Sequence, residues 1–269
     1  MKVFIGVMAY DQRINSLCAL SLIQSIRTLE KAGHEVIPAI EAGRCYITEA
    51  RNFLVSHFLN SDCDMLVFVD SDLAFGGDAI LKVVEADKDV CFGAYPYKTQ
   101  DGYPVQLFTH ANGTPIVEDG LLKAQCGPTG MMAIKRGVFD HMISENPQWK
   151  TERNEGGVPQ DVYMVFDTGI HREPGKWYGE DYLFCLRWID LGGEVWCQPD
   201  IGFIHIGVNH KYGNYKDYLQ EQPKPEELTH GSIPNMDSDG GACGADNMES
   251  GREEGVHSRV GSTTAQVPA

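Results

Sequence analysis

From Lys2 to Ala94, short apolar runs alternate with stretches whose apolar residues return every three or four positions. That rhythm predicts strands separated by helices, and hence a parallel sheet wrapped by helices. Val3 to Met8 is the first core strand. Ser16 can cap a helix bearing Leu17, Leu20, Ile23 and Ile26 that stops at Gly33, and Val36 to Ala39 returns to strand. A second helix, Thr48 to Asn60, turns Ala50, Phe53, Leu54 and Phe58 inward and leads to Met65 to Val69, an unbroken apolar run suited to a central strand. Asp78 can cap a short helix with Ile80, Leu81, Val83 and Val84, and Val90 to Ala94 is another buried strand.

The rhythm then breaks. Lys98 to Gln125 is polar and carries turn signals at Asp101-Gly102 and Glu118-Asp119-Gly120, which predicts hairpins over the sheet edge. Gly130 to Ile134 reads as strand, Val138 to Ile143 as a short helix, and Asn146 to Gln160 as a mobile polar loop that could act as a lid. Gly179 to Leu191 is helical, with Leu183, Leu186, Trp188 and Ile189 available for packing, and Val195 to Cys197 and Ile201 to Ile206 are short strands. From Pro223 large apolar residues almost vanish and eight acids face three bases. We therefore expect one folded domain over residues 1–219 and a disordered, acidic, Gly- and Ser-rich tail over 220–269.

Composition narrows the partners. The 269 residues are 42% apolar and 22% charged, enough for one sizeable core. A formal charge of -16 with no basic stripe argues against nucleic acid or an anionic membrane surface, so a substrate phosphate would be met by a metal and a few local bases. No run approaches the ~18 apolar residues of a membrane span, and the N-terminus lacks a small-residue cleavage site. Eight scattered cysteines without C-x-x-C spacing predict a reduced, cytoplasmic protein.

The strongest chemical signal is VFVDSDLAF, an apolar strand that delivers Asp70 and Asp72 at its C-terminal end, where open α/β sheets bind ligands. Two carboxylates at one place can hold a divalent cation that bridges to diphosphate oxygens; the alternative is a solvated turn with a helix cap. Asp70-Ser71-Asp72, after sixty-odd residues of strand and helix, resembles the Asp-x-Asp motif of GT-A glycosyltransferases. The resemblance extends over about Lys2 to Lys211 and implies an α/β, Rossmann-like nucleotide-diphospho-sugar transferase fold: a single domain with a mainly parallel central sheet. It further implies a Mn2+- or Mg2+-dependent, hexosyltransferase-like enzyme that takes a nucleotide-sugar donor and a glycan or other hydroxyl acceptor.

Each further motif has two readings. EARNFL resembles the Ala-Arg-Asn-x-Leu stretch of some fungal mannosyltransferase-like families, which makes Arg51 a donor or phosphate contact; otherwise it is a surface arginine on an amphipathic helix. In VMAYD, Ala9, Tyr10 and Asp11 follow the first strand, where the resemblance places the base and ribose, and Ser71 belongs to the same donor region; an ordinary strand-to-helix loop is the alternative. CGPTGMMAIKR resembles a Thr-Gly segment on the acceptor side, with Gly130 admitting sugar close to the backbone, or serving only as a turn glycine. In KWYGEDYLFCLRW, Glu180 and Asp181 stand at the positive end of a helix dipole and resemble the Glu-Asp motif that supplies the general base of inverting enzymes, Asp181 being favoured; acids there are also ordinary caps. In FIHIGVNHKYGN, the resemblance makes His205 the metal's remaining ligand, with His210 in the loop beyond, and Lys211 near enough to meet a phosphate. The expected metal set is thus Asp70, Asp72 and His205.

Three rival functions remain. VFVDSDLAF could be the nucleophile loop of a haloacid-dehalogenase-like phosphatase, although that family's motif lies on the first core strand. A nucleotidyltransferase would need a Gly-rich loop that MAYDQRINS does not provide. A non-catalytic scaffold binding nucleotide or glycan is the third. Convergence of Asp70, Asp72 and His205 with Asp181 in one cleft favours the transferase, whereas Asp70 and Asp72 beside a lysine favours the phosphatase.

Overall fold

The computed structural model describes residues 1–155, 158–172, 175–207 and 210–222, so the expected tail lies, from residue 223, outside the described residues. Its first part runs β1 (Lys2–Ala9), α1 (Ser16–Lys31), β2 (Glu35–Ala42), α2 (Ile47–Leu59) and β3 (Met65–Asp70). Strands β2, β1 and β3 lie side by side in parallel, with Met8 opposite Asp70 at the end of the β1–β3 ladder. Period-two alternation splits them between two cores. Val3, Ile5, Val7, Met65, Val67 and Val69 pack with α1, whereas Phe4, Met8, Leu66 and Phe68 pack with Leu54, Val55 and Phe58 of α2.

The chain continues through β4 (Leu73–Phe75), α3 (Ala79–Val84), β5 (Val90–Gly93), β6 (Gln106–Leu107), β7 (Val117–Glu118), β8 (Leu121–Cys126), β9 (Met131–Lys135) and α4 (Arg136–Glu145). Then follow β10 (Lys150–Glu155), β11 (Val158–Tyr163), β12 (Gly169–Ile170), β13 (Trp177–Tyr178), α5 (Glu180–Asp190), β14 (Val195–Gln198), β15 (Gly202–His205), β16 (Lys211–Asn214) and α6 (Tyr215–Glu221). Among the described residues the central sheet has nine strands in the order β2-β1-β3-β9-β5-β14-β8-β6, with β7 also on β8. Only β8 and β9 run against the rest, so the fold is α/β with a mostly parallel central sheet. A small antiparallel sheet, β16-β15-β4, crosses the region beyond the C-terminal end of β3. β6 and β7 are the edge hairpins expected from Lys98 to Gln125.

Several local expectations are corrected. Asn15 rather than Ser16 caps α1, its Oδ1 accepting the Leu17 N–H at 2.9 Å. The helix buries Cys18, Ser21, Leu22, Ser25 and Leu29, leaving Leu17, Leu20 and Ile23 exposed. Small residues let α1 approach β4, and the Ser21 hydroxyl accepts the otherwise unpaired N–H of Phe75 at 3.0 Å. The stretch from Asn146, expected as a mobile loop or lid, instead holds a 3-10 turn and the β10–β11 hairpin, which is tied to α2 by an Arg153–Glu49 bond of 3.0 Å. Asp78 precedes α3 but makes no side-chain cap; it pairs with Lys82 instead at 3.1 Å.

Candidate active site

Alternation along β3 sends Asp70 to the same side as Leu66 and Phe68, the side covered by α2 and α5. Waiting there is Arg51 of α2, only 2% exposed, which removes the surface-arginine reading. Its Nη2 lies 3.5 Å from Asp70 Oδ1, its Nε donates to Glu180 Oε1 at 3.2 Å, and its guanidinium carbon stands 5.3 Å from the Phe68 ring centroid. Burial works against this charge, but the Asp70 and Glu180 carboxylates more than offset it, so Arg51 is held charged. Burial likewise pushes Asp70 upward, with Arg51 opposing and Asp72 and Glu180 adding to the rise.

The segment after β5 gathers the rest of the cluster. The Tyr95 hydroxyl donates to Asp70 Oδ2 at 3.3 Å and accepts the Gly130 N–H at 3.1 Å. His205 Nδ1 donates to the Pro96 carbonyl at 2.7 Å, which leaves Nε2 to face Asp72 Oδ1 at 3.8 Å. Lys98 Nζ donates to the other Asp72 oxygen at 2.5 Å. Burial lowers the His205 pKa, with the Pro96 carbonyl and Asp72 opposing, and Tyr95 packs edge-on against the imidazole at 5.0 Å between centroids. Three of the four residues from Tyr95 to Lys98 thus reach Asp70, His205 and Asp72.

Glu180 and Asp181 open α5 after Gly179, with Asp181 Oδ1 accepting the Tyr182 N–H at 2.7 Å. Burial and the neighbouring Glu180 charge push Asp181 up to about 7, against that N–H and Arg51. A carboxyl poised there takes and gives a proton near neutral pH.

The structure therefore brings Arg51, Asp70, Asp72, Gly130, Glu180, Asp181 and His205 into one connected neighbourhood at the C-terminal edge of the parallel strands. A Cβ on Gly130 would collide with the Tyr95 hydroxyl and with Asp70 Oδ2, so here the glycine makes room for protein groups. The other expected residues flank this cluster, Lys211 opposite His205 in the β15–β16 register and Ser71 between Asp70 and Asp72. Ala9 is buried, Tyr10 is exposed and Asp11 Oδ1 accepts the Arg13 N–H at 3.2 Å, all just beyond Met8 on the same sheet edge. The Ser71 carbonyl accepts the Asn15 N–H at 3.0 Å, Lys211 pairs with Asp101 at 3.0 Å, and His210 is exposed. Sequence reasoning missed Tyr95, Pro96 and Lys98; their one available signal was position, directly after a buried strand.

Among the described residues no group of three or more His, Cys, Asp and Glu side chains could hold a metal ion. Asp72 Oδ1 and His205 Nε2 face each other while Lys98 holds the second Asp72 oxygen, and both Asp70 oxygens are engaged by Arg51 and Tyr95. A divalent ion held there would have two protein ligands and would take its remaining oxygens from phosphate and water. The described cysteines are all free, and among the described residues no helix is long and apolar enough to cross a membrane.

No protein-family model matches the chain, and no curated protein does. Solved structures do match, 84 chains in all. The mannose-1-phosphate geranyltransferase of Thermus thermophilus matches at 12% identity and TM-score 0.36, over 54% of this chain and 60% of that one. The catalytic domain of Drosophila β1,4-galactosyltransferase 7, crystallised with xylobiose, matches at 15% identity and TM-score 0.41, over 87% of this chain and 76% of that one. Staphylococcus aureus TarS 1–349 in complex with UDP-GlcNAc matches at 13% identity and TM-score 0.40, over 81% and 61%. The chain spans about three fifths of the first and third of these proteins. At such scores the likeness transfers neither a substrate nor a residue role.

Proposed function

We propose that the protein is a glycosyltransferase of the GT-A kind, moving a sugar from a nucleotide-sugar donor to an acceptor hydroxyl with a divalent cation at Asp72 and His205. The observation that carries this reading is the bridge made by buried Arg51 between Asp70 and Glu180, which unites a strand-end acid pair with a helix-start acid pair. A bound Mn2+ or Mg2+ would neutralise charge on the leaving diphosphate. Asp181 accepts the proton of the acceptor hydroxyl as it attacks the anomeric carbon, and Arg51 holds Asp70 and Glu180 in place. Attack in line with the leaving group gives inversion.

Lys98 beside Asp72 is also the arrangement that the phosphatase reading asks for. Against it, the nucleophile would be Asp70, both of whose oxygens are engaged, by Arg51 and by Tyr95, and whose ionisation burial disfavours. The deciding experiment is a thermal-stability screen of nucleoside diphosphates and their sugar conjugates, each with and without Mn2+. Ligand at a hundredfold excess over Kd adds about 2.7 kcal/mol of stability. A Mn2+-dependent shift with one nucleotide, lost in Asp72→Asn, is the expected result; no shift with any nucleotide overturns the transferase reading.

A further inference from the structure

The two oxygens of the Asp72 carboxylate are divided between two bases: Oδ1 faces His205 Nε2 at 3.8 Å, and Oδ2 accepts from Lys98 Nζ at 2.5 Å. These contacts differ in permanence. His205 is anchored through Nδ1 to the Pro96 carbonyl, and its side chain is 12% exposed. Lys98 ends a flexible four-carbon stem, with its side chain 43% and that of Asp72 35% exposed. An ion pair so open to water is weak and exchanges readily, unlike that of Arg51. The backbone from which Lys98 springs is nevertheless fixed, because Tyr95 is clamped between Asp70 and Gly130 and Pro96 is bound to His205. The ammonium is thus tethered within reach of the one carboxylate in the cluster that faces His205.

We propose that Lys98 is a built-in counter-ion that occupies Asp72 in the ligand-free protein and is displaced when a divalent cation binds there. The inference rests on the metal reading above and adds a competitor to it. Lys98 keeps Asp72 oriented and neutralised until the cation arrives, and a cation must break the Lys98–Asp72 pair to take the second carboxylate oxygen. The released ammonium stays beside the site, where it can meet an anionic ligand.

The test is isothermal titration of Mn2+ alone, without nucleotide, into the full chain, with folding of every variant checked by circular dichroism. Lys98→Met is expected to bind Mn2+ roughly one-and-a-half- to fivefold more tightly than wild type, the range an exposed ion pair supports. Lys216→Met removes an equal charge from an ammonium that lies 3.5 Å from Asp200, and is expected to leave Mn2+ affinity unchanged. Equal affinity in Lys98→Met and wild type, or equal tightening in both variants, overturns the counter-ion and leaves the metal reading standing. Absence of Mn2+ binding in wild type and Lys98→Met alike overturns both.

Discussion

Asp181 sits in the first turn of α5 beside Glu180, and its proton is retained up to about pH 7 because burial and that neighbouring charge disfavour the carboxylate. Between the ordinary aspartate range and pH 7 the unfolded chain has released this proton while the folded chain still holds it, so this group makes stability fall as pH rises through that window. Asp181→Asn has no such slope. We expect it to be more stable than wild type at pH 8 in urea unfolding, yet to lose about 10²- to 10⁴-fold in turnover, the usual contribution of a general base. Wild-type kcat/KM should rise with pH to a plateau above about 7; retained turnover in the variant would place the base elsewhere. The position of this acid is legible in the sequence because a glycine followed by two acids at a helix start is a local pattern. Its proton affinity is not, because desolvation depends on what other segments lay over it.

At the scale of elements, α2 carries two jobs on adjacent residues. Arg51 faces the acid cluster, and Asn52, fully buried, holds the chain after β11: its Oδ1 accepts the Phe166 N–H and its Nδ2 donates to the Phe166 carbonyl, both at 2.8 Å. Asn52→Ala leaves both backbone groups buried without a partner, and we expect a loss of about 3 kcal/mol in urea unfolding. A loss under ~1 kcal/mol would mean that water replaces the amide. The periodicity of α2 is readable because its apolar face repeats, and its observed bounds lie one residue from those expected. The β10–β11 hairpin is not readable, since its strands are polar and their pairing depends on the support of Ser56 and Glu49 on α2. Likewise α1 turns Cys and Ser inward rather than its leucines, because close approach to β4 favours small side chains.

Across the whole molecule, Arg51 ties three segments far apart in sequence: α2, the end of β3 and the start of α5. Replacing it with an apolar residue of similar length leaves two partly buried carboxylates without their counter-charge, a change that typically costs about 3 kcal/mol. Arg51→Met should therefore melt roughly 6–12 °C below wild type. Asp70→Asn in the same chain should restore part of the loss, because the two substitutions share one interaction. Strict additivity of the two would show that the guanidinium and Asp70 do not support each other.

The sequence by itself determined the α/β class, the alternation of strands and helices up to Ala94, and the strand-end placement of Asp70 and Asp72. These follow from periods of 2 and 3.6 and from turn residues, all expressed within a few neighbours along the chain. Only the tertiary structure decided that β9 slots in reverse between β3 and β5, that Arg51 is buried against Asp70 and Glu180, and that Tyr95 to Lys98 close over the carboxylates and His205. Those contacts depend on which strand lies beside which and on how the helices pack across the sheet, and no local pattern encodes either.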